Sequence, residues 1–171
     1  MAGSGNAQRT MGSPTFVEVR SSLHVRIAQE LFVEYERAIG IDLCFQNFSE
    51  EVAGLPGEYV PPAGRLYICF VDGFVAGCVA LRRIDERICE MKRLYVRPAF
   101  RGQHLGRLLA ERVIQDAKTT GYLAMRLDTL PSMTEAITLY HSLGFQPTDP
   151  YRVNPHAGAL YMELALLPST R

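Results

Sequence analysis

Polar and apolar residues alternate over Thr15–Arg20 (TFVEVR), a period of two in β-forming residues that predicts a strand. The period then changes. Leu23, Ile27, Leu31, Tyr35 and Ile39 recur every four residues, which predicts an amphipathic helix capped by Ser21 or Ser22 and stopped by Gly40. No period holds from Ile41 to Gly64, so a long irregular connection is expected there, with a short helix around FSEEVAG (residues 48–54). Such a connection often forms a lid or a substrate wall. Two continuous apolar runs, RLYICFV and FVAGCVAL, flank Asp72-Gly73 and predict a hairpin. A third strand, Arg87–Val96, should stop before Pro98. Helical spacing returns in Leu105, Leu108, Leu109, Val113, Ile114 and Ala117, and ends at Gly121. Tyr122–Leu130 reads as the next strand. Met133, Ala136, Ile137, Tyr140 and Leu143 then predict a helix, with Ser132 and Glu135 as a capping box and Gly144 as its terminator. A loop rich in Pro, Asn and Gly (residues 146–158) leads to a last strand, Ala159–Leu167, and a short extra strand is expected near Phe145. Hairpins followed by a β-α-β crossover predict one α/β (α+β) domain: a mixed, mostly antiparallel sheet flanked by helices.

Composition narrows the function without naming it. With 47% hydrophobic and 21% charged residues the chain is ordinary for a globular domain. Lys+Arg and Asp+Glu both number 18, so no overall basic field exists and nucleic acid is not an expected partner. Cys44, Cys69, Cys78 and Cys89 form no CxxC pair, and three of them sit in apolar runs, which argues against a zinc site or a disulfide framework. No metal is expected. The opening residues, MAGSGNAQRTMGSP, lack the apolar core of a signal peptide and read as a flexible tail over 1–14. No run approaches membrane-spanning length. A cytoplasmic setting without membrane contact is the expectation, and apolar residues on the last strand are compatible with a homodimer.

The chemistry gathers in VRPAFRGQHLGRLLAERV (Val96–Val113), where a strand runs through a glycine-containing turn into a helix. Such a turn leaves several backbone N–H groups without helical partners, and the helix dipole adds positive charge. That is a seat for a phosphate or pyrophosphate. The absence of Gly-Lys-Ser/Thr excludes a Walker loop, and the glycine spacing excludes a dinucleotide fingerprint.

Directly after MKRLYVRP, the run Arg101-Gly102-Gln103-His104-Leu105-Gly106-Arg107 resembles the acetyl-CoA-binding loop of GCN5-related N-acetyltransferases (GNAT), Gln/Arg-x-x-Gly-x-Gly/Ala. Arg101 and Gly106 match its ends, and His104 stands where glycine is usual. His104 fits without strain at helical angles but not at φ > 0. EAITLYHSLGF is similar to the AxxLYxxxGF helix of that family, with Met133 in place of its usual asparagine. The resemblance spans Thr15 to Leu167 and implies one acetyltransferase domain over 15–171.

It further implies that Arg101, Gly102, Gln103, His104, Leu105, Gly106 and Arg107 hold the pyrophosphate of acetyl-CoA. Main-chain groups of Leu94, Tyr95 and Val96 would hold its pantetheine arm, where the strand splays from Tyr122–Leu130. Tyr140 takes the place of the tyrosine that meets the CoA sulfur, and Glu90 that of a catalytic glutamate. Burial is expected to raise the Glu90 pKa and make it a better base, the alternative being an ion pair with Lys92 or a neighbouring arginine. Glu58, Asp128 and Asp149 are weaker candidates. The implied reaction is direct transfer of acetyl to a primary amine of a small molecule or peptide. Its pocket would lie between residues 41–64 and 146–158, with Phe45, Phe48, Glu58, Tyr59, Tyr151 and His156 as candidate lining. A catalytically silent CoA-binding module, and a transferase using another acyl-CoA, are the competing readings.

Overall fold

The structure is a computed structural model that describes residues 12–166. The expected tail up to position 11 and the last expected strand residue, Leu167, lie outside the described residues.

The hydrophobic pattern folds as its periods require. Strand β1 (Thr15–Glu18) is followed by helix α1 (Ser22–Ile39), whose cap is Ser21: its hydroxyl accepts from the His24 N–H at 3.2 Å. Gly40 closes α1 in the left-handed region at φ 69°. The long connection carries a 3-10 turn (Cys44–Gln46) and a short helix α2 (Phe48–Ala53). The hairpin is β2 (Arg65–Val71) and β3 (Phe74–Arg83), turned through Asp72 and Gly73, both at positive φ. Strand β4 (Ile88–Val96), helix α3 (Leu105–Thr120), β5 (Ala124–Thr129), helix α4 (Thr134–Ser142), a two-residue β6 (Gln146–Pro147) and β7 (Leu160–Ala165) complete the described chain.

The strands form one seven-stranded sheet in the order β1-β2-β3-β4-β5-β7-β6. Among the described strands only β4 and β5 run parallel, as the crossover through α3 demands. Helices cover both faces, which explains why β2 and β3 read as unbroken apolar runs rather than alternating ones. Tyr67, Cys69, Val79 and Leu81 face a core shared with α3, to which Leu109, Val113 and Ala117 contribute. Leu66, Ile68, Cys78 and Ala80 face the opposite core, under Ala28, Leu31 and Phe32 of α1. Each fully buried aliphatic side chain contributes roughly 1.5–3 kcal/mol, so the sheet is pinned from both sides.

Two local features depart from expectation. The capping box at α4 does not form. Pro131 and Ser132 sit in a turn closed by the Met133 N–H to the Leu130 carbonyl, the helix starts at Thr134, and Met133 occupies the cap position with no side-chain bond capping the helix. The second feature is a β-bulge in β4. Ala80 pairs with Lys92 but Cys78 pairs with Tyr95, so β4 carries one extra residue, and Arg93 there takes φ 56°. Before the bulge Cys89 and Met91 join the α3-side core; after it Tyr95 joins the α1-side core and Leu94 and Val96 pack on the α3 side. The extra residue thus exchanges the faces of the strand end. Gly77 sits opposite, and a Cβ there would meet the Tyr95 carbonyl oxygen at 2.3 Å, so only glycine fits.

Candidate active site

The β4–β5 ladder stops early. Ile88, Cys89 and Glu90 pair with Ala124, Met125 and Arg126, and no pair follows. From Met91 onward the edge of β4 facing β5 carries no ladder partner among the described residues, and the strands diverge into a wedge. Pro98 ends β4 and sets a 3-10 turn, Pro98–Phe100, that leads to the N-terminus of α3. The first backbone bond closing α3 runs from the Leu108 N–H to the His104 carbonyl, at 3.1 Å. The N–H groups of Gly102 through Arg107 therefore donate to no backbone carbonyl of the described chain. They converge at the positive end of a sixteen-residue helix, an arrangement suited to an anion.

A cleft of about 890 Å³ opens along these groups. Leu94, Tyr95, Val96, Arg101, Gly102, His104, Leu105, Gly106 and Arg107 all line it; Gln103 and Glu90 do not. Arg101 folds back so that its Nε donates to the Val96 carbonyl at 3.1 Å. Arg107 is tied to Glu111 at 3.1 Å and to the Ser142 hydroxyl at 2.5 Å, which fixes it at the rim. Arg97, the third arginine of the cluster, is engaged elsewhere, with Glu34 of α1 at 2.7 Å.

His104 adopts φ 60°, the left-handed region. The strain-free alternative is thus overturned: a β-carbon sits where the loop geometry favours glycine, at a cost of about 1–2 kcal/mol. His104→Gly is expected to raise the free energy of unfolding by about 1 kcal/mol, after the extra freedom glycine adds to the unfolded chain, and a shifted urea midpoint checks it.

A second, smaller cavity of about 40 Å³ joins the wedge between Lys92, Arg93, Asp128, Gln46, Asn154 and Tyr140. Tyr140, with Tyr35, Ile39, Leu94 and Met133, lines both spaces. Its ring packs edge-on against Phe145 at 5.8 Å, and burial pushes its phenol above the usual 10.0, so it stays protonated at every physiological pH.

Glu90 stands apart from both spaces and is fully buried. Arg82 Nε donates to its carboxylate at 2.8 Å, Tyr151 donates its hydroxyl at 2.9 Å, Arg152 bonds it as well, and Lys92 Nζ lies 3.7 Å away. Here the expectation reverses. Burial does press the Glu90 pKa upward, but Lys92, Arg152 and Arg82 outweigh it and hold the carboxyl below its ordinary value. The ion-pair alternative describes the residue, and a carboxylate so held is a weak base. Of the other acids, Glu58 is exposed beside Arg82, Asp149 is exposed on the loop, and Asp128 lines the small cavity with Asn154 Nδ2 at 3.3 Å.

Lys92 answers the same cluster from the other side. Burial first, then Arg93 and Arg152, push its ammonium down from 10.5 to about 8, against the pull of Glu90 and Asp128. The unfolded chain therefore holds this proton more tightly than the folded one. Protonated Lys92 destabilises the fold below about pH 8, and the penalty fades as pH climbs towards 10.5. Lys92→Met is expected to abolish the rise in stability between about pH 8 and pH 10.5 that Lys92 gives the wild type, as read from urea titrations across that range.

Several of these groups were not legible in the sequence. Gln46 accepts from Lys92 Nζ at 3.1 Å and from Arg93 at 3.0 Å, and Glu51 holds Arg93 at 2.6 Å. No spacing rule links them to β4. Lys92 itself, a lysine two residues from Glu90 on a strand sequestered on both faces, was the one available signal. Phe48 and Tyr59 prove to be core residues on the α1 side, and His156 lines neither space.

Comparison with known proteins follows the same line. Residues 26–145 match the model of the acetyltransferase (GNAT) family. An uncharacterized N-acetyltransferase of Schizosaccharomyces pombe is 43% identical over 138 residues, 80% of this chain and 85% of that one. An acetyltransferase from Streptococcus agalactiae superposes with a TM-score of 0.74 at 21% identity, over 90% of this chain and 98% of the other. A Salmonella typhimurium putative acetyltransferase, solved with its cofactor acetyl-CoA, gives 0.65 at 21% identity, over 94% and 98%.

Proposed function

This chain belongs to the GNAT acetyltransferase family, and on that premise we propose that it transfers an acetyl group from acetyl-CoA directly to a primary amine. The observation that carries the reading is the shared wall of the two spaces: unpaired amides at one end of the cleft, an open strand edge along its side, and Tyr140 lining both the cleft and the small cavity.

The backbone from Gly102 to Arg107 suits the pyrophosphate, and Arg101 and Arg107 add positive charge at its rim. Leu94, Tyr95 and Val96 lie on the part of β4 that β5 leaves unpaired, where the pantetheine arm pairs like an added strand once Arg101 Nε gives up the Val96 carbonyl. When bound, acetyl-CoA supplies the thioester whose C–S bond breaks as the amide forms. Tyr140 donates a hydrogen bond to the departing sulfur. Its phenol is a weaker acid than a thiol, whose reference pKa is about 8.5, so it stabilises the emerging thiolate rather than surrendering its proton outright. Asp128 receives the acceptor ammonium and passes its proton to solvent. Glu90 is assigned a holding role, pairing with Arg152 and Arg82 and standing 3.7 Å from Lys92 of the cavity wall. The unpaired thiols Cys69, Cys78 and Cys89 accord with a reducing, cytoplasmic setting.

The test is release of free thiol from acetyl-CoA on addition of amines. Amine-dependent release supports a transferase. Binding of CoA with no release against a broad amine panel would point instead to a silent CoA-binding module.

A further inference from the structure

We propose that the small cavity beside Tyr140 recognises a carboxylate, so that the acceptor is a free amino acid or a compact analogue rather than a plain amine. This deepens the transferase reading and rests on it.

Arg82, Arg152 and Lys92 all draw on the single carboxylate of Glu90. The further partner of Arg82, Glu58, lies on the surface with 74% of its side chain exposed. Arg93 makes no claim on Glu90, because Glu51 neutralises it through two contacts. Positive charge is thus in excess around Glu90, in a region from which water is largely excluded. Lys92 is the least satisfied member. Its side chain is 4% exposed, its one hydrogen bond goes to the neutral Gln46, and Glu90 stands at 3.7 Å, beyond hydrogen-bond reach. An ammonium carries three donors, and burying it without full pairing is costly.

Geometry supplies the second strand. Lys92 lines the cavity, and so do Gln46 and Asn154, whose amides add donors. At about 40 Å³ the space holds a few water-sized groups. That suits a carboxylate and excludes an extended peptide side chain. The same walls carry Asp128, an acid able to receive an ammonium, and Tyr140, which also faces the cleft. A compact molecule with one carboxylate and one amine matches this array: its anion meets Lys92, and its amine lies between Asp128 and Tyr140. The nitrogen attacks the thioester carbon, the C–S bond breaks, the sulfur leaves as thiolate beside Tyr140, and the amine proton departs through Asp128.

Paired acceptors decide the matter. Glycine, L-alanine, L-leucine, L-phenylalanine and L-aspartate are assayed for thiol release against their decarboxylated amines and their carboxamides. At least one amino acid is expected to exceed both counterparts in kcat/KM by roughly a hundredfold, the scale of one buried charge-assisted pair. Lys92→Met should erase that preference and Lys92→Arg restore part of it, with acetyl-CoA affinity the same in all three proteins. Urea midpoints confirm that the variants fold. Turnover confined to the carboxylate-free amines, or an unchanged preference in Lys92→Met, overturns the inference and leaves the transferase standing. No turnover with any pair overturns it too, and calorimetry with acetyl-CoA then decides separately whether the donor site exists.

Discussion

Tyr140→Phe lowers kcat by roughly 10²–10³-fold and leaves the dissociation constant for CoA nearly unchanged. The phenol oxygen is the only atom removed, and the ring keeps its packing on Phe145, so the fold loses little. Its contribution is made where charge develops on sulfur, in the transition state and not in the bound ground state. Rapid-quench measurement of the chemical step separates this from slow product release. An unchanged kcat would remove Tyr140 from the mechanism.

Gly106→Asp attacks the other end of the same cleft. A Cβ at this position would meet Leu139 Cδ2 at 3.6 Å and Val96 Cγ2 at 4.0 Å, ordinary contacts, so the side chain fits. An acid in the first turn of α3 also favours the helix, by about 0.3–1 kcal/mol. The apo protein should therefore be as stable as the wild type or slightly more so. Affinity for CoA should nevertheless fall on the order of a hundredfold, because a carboxylate close to the pyrophosphate repels it by about 2–4 kcal/mol at the protein surface. Calorimetry reads the loss, and thermal unfolding without ligand excludes a folding artefact.

These two variants probe what the sequence announced most clearly. The turn around Gly102 and Gly106 was legible because glycine, proline and helical period each act locally, and the Asp72-Gly73 hairpin was legible for the same reason. The β4 bulge was not. One extra residue in a run such as CEMKRLYV leaves no mark on composition, yet it decides that Tyr95 faces the α1 side while Leu94 and Val96 pack towards α3. The electrostatics of Glu90 were hidden for a related reason. Burial alone argued for a raised pKa, whereas the cations that reverse it come from β3, from β4 and from a loop far along the chain. Where long-range contacts set the charge balance, local pattern cannot report it. His104 lay between the two cases: the sequence posed the question of its backbone angle, and the tertiary turn answered it.

Lys92 draws the threads together. It is a buried cation whose ammonium burial pushes down from its ordinary value, two residues from Glu90 in the chain and on the wall of the cavity next to Tyr140. A buried charge so placed is expected to act on a ligand.

The central claim is that the free amides from Gly102 to Arg107 hold the diphosphate of the acyl donor. Titration of isotopically labelled protein with acetyl-CoA, followed through the amide resonances of those residues, tests it most directly. The account predicts saturable, downfield movement of these resonances, with smaller changes along Leu94–Val96. Resonances that stay in place while acetyl-CoA binds, or the absence of any binding, would contradict it.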